Sequence, residues 1–146
     1  MARLQIDFPD PPLFDYQIPV RITDLNYGRH LGHDTLVSLL HEARARFFSA
    51  SGMAEDDVDG LGVILTELRV SYRAQAFFGQ TLRIEIACGE IGSRGCDLRY
   101  RLSDRETGRL VALASTGILF FDYASERVAA MPERFRRVIA CRVPAE

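Results

Sequence analysis

Between residues 24 and 34 the chain reads Asp24-Leu25-Asn26-Tyr27-Gly28-Arg29-His30-Leu31-Gly32-His33-Asp34, crowding carboxylate, amide, imidazole and glycine into one short stretch. Chemistry in this chain begins there. Asp24 and Asp34 are carboxylates able to exchange protons, and His30 and His33 are able to position a substrate or donate to a carbonyl oxygen. Gly28 and Gly32 allow a ligand close to the backbone, or a positive φ in a turn. His30, His33 and Asp34 also form a conceivable metal set, but the chain has three histidines and no Cys-x-x-Cys, so no metal is assigned.

The flanking residues say what positions this stretch. Upstream, Ile18, Val20 and Ile22 alternate with Pro19, Arg21 and Thr23, predicting a half-buried strand over about Phe14 to Thr23. Downstream, Leu36, Leu39, Leu40, Ala43 and Phe47 recur at spacings of three and four, predicting a helix from His33 or Asp34 to about Ala50. Asp34 or Thr35 is available as its N-cap, a role that competes with catalysis for Asp34, and Gly52 follows its end. A polar turn thus feeds the start of an apolar helix, whose free amides favour partial negative charge. His41 on that helix reads as an interface or packing residue.

After the helix, Ser49 to Gly60 holds Glu55, Asp56, Asp57 and Asp59 and reads as a solvated surface connection. From Gly62 the period changes to two, predicting strands over Val63–Tyr72, Thr81–Cys88, Gly95–Ser103 and Leu110–Tyr123. Ala76 to Gln80 and Asp104 to Gly108 read as hairpin-like connections. Pro132 to Ile139 reads as a short closing helix with proline in its first turn. Short links imply an antiparallel sheet, and the helix over Asp34 to Ala50 is the one element long and apolar enough to cover a face of it. The expected class is α+β, an antiparallel sheet of five or six strands wrapped around one long central helix: the hotdog arrangement. Exposed edges and a modest core favour a homodimer, or a tetramer of such units.

Composition narrows the function. A chain of 146 residues with 47% hydrophobic residues fits a single domain over residues 1–146. A formal charge of -2 gives no electrostatic footprint for nucleic acid. No apolar run approaches the roughly 20 residues that span a bilayer, and Met1-Ala2-Arg3-Leu4 leads into acidic, proline-rich sequence; a cytoplasmic location is expected. Cys88, Cys96 and Cys141 form no close pair and read as reduced thiols. Every basic residue is arginine, which excludes Schiff-base and lysine general-base mechanisms. No Gly-x-Ser-x-Gly elbow exists, and neither strand cysteine has a histidine near it in sequence.

The order and spacing of several motifs resemble the 4-hydroxybenzoyl-CoA thioesterase family of hotdog proteins. The residues that carry the resemblance are Asp24, Asn26, Gly28, His30, His33, the helical Glu42-Ala43-Arg44, then Val70-Ser71-Tyr72-Arg73, Phe78-Gly79-Gln80-Thr81-Leu82 and Ile91-Gly92-Ser93-Arg94, nearly the whole chain. The resemblance implies an acyl-CoA thioesterase with coenzyme A as part of the substrate and no separate cofactor. It places the thioester at a subunit interface, its carbonyl facing amides at the start of the long helix. It also implies that Glu42 takes the proton while Asn26 orients water, with Asp24 as a competing carboxylate. Glu42 alternatively faces Arg46 as a surface ion pair. Ser93, Arg94 and Arg73 would contact the CoA phosphates or pantetheine, and Leu40 with Phe77 or Phe78 would line the acyl pocket. This chain departs from the family at Asn26, where the usual catalytic aspartate would stand. That departure keeps a non-catalytic acyl-CoA or acyl-carrier sensor as the alternative; a hotdog hydratase or dehydratase would carry a His-Phe-Pro type of motif that is absent here.

Overall fold

The computed structural model describes residues 3–140; Cys141 lies outside them. Its elements are β1 (Phe14–Pro19), a single 3-10 turn (Ile22–Asp24), α1 (His33–Ala50), β2 (Gly62–Tyr72), β3 (Thr81–Ile91), β4 (Gly95–Asp104), β5 (Leu110–Asp122), β6 (Arg127–Ala129) and α2 (Glu133–Ala140). The sheet is antiparallel with strand order β1-β3-β4-β5-β2, and β6 pairs with the far end of β5. This is the α+β hotdog architecture.

Alternation decides which face is covered. Leu82, Ile84 and Ile86 on β3, Leu98, Tyr100 and Leu102 on β4, and Ala112, Ala114 and Ile118 on β5 form one buried layer. Against it α1 sets Leu36, Leu39, Leu40, Ala43, Phe47 and Phe48. Burial on this scale, at roughly 25 cal/mol per Å² of apolar surface, is what holds an 18-residue helix to the sheet. The helix sits off centre, packing nearest β1 and β3. Leu65, Leu68 and Tyr72, on the helix-facing side of β2, therefore stay 45–50% exposed.

The opposite face carries Arg83, Glu85, Arg99 and Arg101. The leading segment crosses it, with Asp7 paired to Arg99, Asp10 to Arg101, the Phe8 ring against the Arg101 guanidinium, and Ile6 buried.

Four expectations change. The first strand ends at Pro19, because the Asp24 carboxylate accepts from the Arg21 backbone N–H (2.8 Å) and guanidinium and closes a turn; Ile22 is consequently exposed. Asp34 does not cap α1: Gly32 stands at the N-cap, and no side chain bonds to that cap. Residues Ala76 to Gln80 are no hairpin, since β2 pairs with β5 while β3 pairs with β1 and β4. That connection instead docks on the polar turn, Leu31 N–H donating to Ala76 O at 2.8 Å. Within the acidic stretch after α1, Glu55 turns inward to the buried Arg44. The closing helix follows Pro132 as expected. Cys88 and Cys96 are buried and form no disulfide; a hydrogen bond to Cys88, reinforced by burial, pushes the Cys96 thiol up and keeps it protonated.

Candidate functional site

The turn between β1 and α1 holds itself together through backbone bonds. Asn26 N–H donates to His30 O (2.9 Å), Arg29 N–H to Asn26 O (3.0 Å), and Gly32 N–H to Asp24 O (3.1 Å). The Asn26 side-chain oxygen accepts from Gly28 N–H at 2.9 Å, an Asx turn that a carboxylate would make equally well. Arg29 takes a positive φ of 63° at the apex. Gly28 and Gly32 sit close under neighbouring side chains: a Cβ on Gly32 would lie 2.7 Å from Asp34 Oδ1, and one on Gly28 3.1 Å from His30 Nε2, so those side chains would have to shift to admit one.

This geometry delivers the uncapped start of α1 to a cavity of about 350 Å³ lined by Asn26, His30, His33, Leu36, Tyr72 and Arg73, among others. The first-turn amides of a helix have no intrahelical acceptor and carry the positive end of the helix dipole, so a carbonyl oxygen gaining negative charge is stabilised beside them. Tyr72 spans the mouth and donates its hydroxyl to His33 O at 2.9 Å; burial, with the Asp34 charge, pushes its phenol up, so it stays a donor. His30 Nδ1 lies 3.3 Å from Leu31 O, which fixes one ring nitrogen and leaves Nε2 for other work. Arg73 Nε donates to Ser71 Oγ at 2.8 Å.

The remaining residues singled out in the sequence lie elsewhere. Asp24 is buried and bonded to Arg21; burial works to raise its carboxyl, but the Arg21 side-chain and backbone hydrogen bonds with the Arg21 charge outweigh it and hold the group below its ordinary range. Glu42 accepts from Arg46 Nε at 2.7 Å and lines a groove on the β1 side of the helix with Asp24, Thr35 and Leu39. Ser93 and Arg94 form the β3–β4 turn and line a shallow cleft of about 420 Å³ with Thr66, Glu90 and Asp97, separate from the His30–His33 cavity. Phe77 and Phe78 are exposed, while Leu40 is buried. Among the described residues no group of three or more His, Cys, Asp or Glu side chains converges to hold a metal, and no helix is long and apolar enough to cross a membrane.

Sequence reasoning missed a second cluster. Arg44, with 5% of its side chain exposed, donates from Nε to Glu55 Oε2 (3.0 Å) and from Nη1 to the Tyr100 hydroxyl (3.3 Å), which in turn shares a 2.6 Å hydrogen bond with Thr116. Spacing offered one signal only: Arg44 falls on the apolar stripe of α1, where an unpaired charge would be costly.

Residues 20–139 match the family model described as the thioesterase-like superfamily. The fold is similar to a 1,4-dihydroxy-2-naphthoyl-CoA thioesterase from Synechocystis (TM-score 0.81, 18% identity, covering 88% of this chain and 96% of that one). It is also similar to a hypothetical protein from Thermus thermophilus (TM-score 0.75, 29% identity, 86% and 96% covered). A hypothetical protein from Staphylococcus aureus solved in complex with CoA shares the fold as well (TM-score 0.80, 16% identity, 87% and 81% covered). No curated protein sequence matches the chain. With some four-fifths of its length matched, the chain belongs to the thioesterase-like superfamily.

Proposed function

We propose that the protein hydrolyses an acyl-CoA thioester to coenzyme A and a carboxylic acid. The observation that carries this reading is the uncapped start of α1 opening onto the Asn26–His30–His33 cavity, in a chain of this superfamily. The thioester carbonyl lies against the first-turn amides that begin at His33, where negative charge gains most. Asn26 orients the attacking water or the substrate, and His30 and His33 hold the acyl group. Coenzyme A enters as part of the substrate; the fold's likeness to a CoA complex supports a site for it. Arg73, Ser93 and Arg94 offer arginine forks and a hydroxyl to its phosphates. Because Arg73 and the Ser93–Arg94 turn line separate cavities of one copy, the site is completed by a second copy joined along the free edge of β2. The two sets of contacts then come from different copies.

The amide at Asn26, where the resemblance calls for a carboxylate, favours a second reading: an acyl-CoA or acyl-carrier sensor. Thiol release from a panel of aliphatic and aromatic acyl-CoAs separates the two. Turnover of any member supports hydrolysis. Tight binding without turnover across the panel overturns it and supports the sensor.

A further inference from the structure

Hydrolysis needs a base, and the helix-start cavity contains no carboxylate. A second cavity of about 370 Å³ runs along the seam between α1 and β2, with Leu65 and Leu68 on one wall and His41, Arg44, Glu55 and Thr116 on the polar side. There the buried chain Thr116–Tyr100–Arg44 ends on Glu55 Oε2. The other carboxylate oxygen, Oε1, is buried without a hydrogen bond. It lies 3.5 Å from His41 Nε2, within ion-pair distance but outside hydrogen-bond geometry, and the His41 side chain is 67% exposed.

A buried acceptor left unbonded is costly, and a fold that keeps one beside an imidazole has built the device that fixes a histidine for proton transfer. Nε2–H directed at Glu55 leaves Nδ1 as the free acceptor. Such contacts are often long in the empty site and tighten around substrate. His41 follows His33 by eight residues, about 12 Å along the helix, too far to serve a carbonyl at its own helix start. Pairing of two β2 edges about a twofold axis would run the two helices in opposite directions, the arrangement in which His41 of one copy would face the helix start of the other.

We propose that His41, oriented by Glu55, is the general base, acting on a thioester held at the helix start of a second copy. This rests on the hydrolysis reading above. The imidazole Nδ1 takes a proton from water as the water oxygen bonds to the thioester carbon. Collapse of the tetrahedral intermediate breaks the C–S bond, and the imidazolium returns that proton to the departing sulfur. Glu55 is a positioning residue; Arg44, donating to its Oε2, holds it in place.

The test uses the full chain and the acyl-CoA panel. His41→Ala should lower kcat at least a hundredfold with KM within threefold, and added imidazole should restore at least tenfold of the loss. Glu55→Gln, with Glu55→Asp as the milder variant should the first fail to fold, should lower kcat at least tenfold without raising KM. For the cross-copy step, His33→Pro removes one helix-start amide at a position that tolerates proline. Differently tagged His41→Ala and His33→Pro chains, co-expressed and purified as mixed pairs, should regain about half of the normal rate, because one of the two sites in each mixed pair is intact. If the unmodified protein hydrolyses the panel while His41→Ala keeps kcat within threefold, the base assignment is overturned and hydrolysis stands. Mixed assemblies no faster than their parents overturn delivery from a second copy. No turnover by the unmodified protein removes the hydrolysis reading itself and this proposal with it.

Discussion

The Tyr72 hydroxyl donates to the His33 carbonyl across 2.9 Å, fastening the end of β2 to the first turn of α1 at the mouth of the candidate site. The bond is partly solvated, and a typical net contribution is about 1 kcal/mol. Tyr72→Phe should therefore cost about that much in urea denaturation. The ring still walls the cavity, so kcat should fall less than tenfold while KM changes little. A collapse of activity without loss of stability would show that the hydroxyl touches substrate instead.

Glu42 tests where the proton goes. Its carboxylate is held by Arg46 at 2.7 Å, in the groove on the β1 side of α1. Glu42→Ala should change kcat by less than about threefold and stability by a few tenths of a kcal/mol, as expected of an exposed i,i+4 pair. A fall of tenfold or more would restore Glu42 as the base and displace His41.

Asp24 gives a pH signature. Its folded-state carboxyl lies below the ordinary value of 3.8, so its stabilising contribution is complete above that value and disappears as pH falls through the lower folded value. The difference in urea midpoint between the native protein and Asp24→Asn should be constant near neutrality. It should shrink below about pH 4. A gap that instead widens in acid would mean that the carboxyl is raised in the folded state.

Asn26→Asp keeps the Asx turn, since the Asn26 oxygen is what accepts from Gly28 N–H. The variant should fold with a melting temperature close to that of the native chain. Placed in the His41→Ala background, it supplies a carboxylate beside the helix start and should raise kcat at least tenfold over His41→Ala alone. No gain would mean that the turn holds the group away from the attacking water.

Periodicity made the elements legible wherever one face is buried and the other is wet. The α1 span agrees because Leu36, Leu39, Leu40, Ala43 and Phe47 all reach the sheet, and the four long strands agree because their alternate residues do the same. The short β6 left no such pattern in three residues. Connectivity was less legible: a five-residue link containing glycine suits a hairpin, yet Ala76 to Gln80 joins strands that do not pair, a matter of long-range pairing that local sequence does not encode. The site divides in the same way. Asn26, His30 and His33 converge because one tight turn carries them, whereas the Glu55–Arg44–Tyr100–Thr116 chain draws on a loop, a helix and two strands, and the acidic run around Glu55 disguises it as solvated surface.

Because α1 leans toward β1 and β3, an isolated copy presents Leu65, Leu68 and Tyr72 to water on a surface that should be dry. A lone chain pays for that vacancy in stability. Two copies facing each other across it would recover the loss by wetting less hydrocarbon, and would gain a sheltered chamber at the same stroke. On this view any hydrolysis should track self-association, so that dilution below the dissociation constant of the pair would abolish turnover before it unfolds the chain.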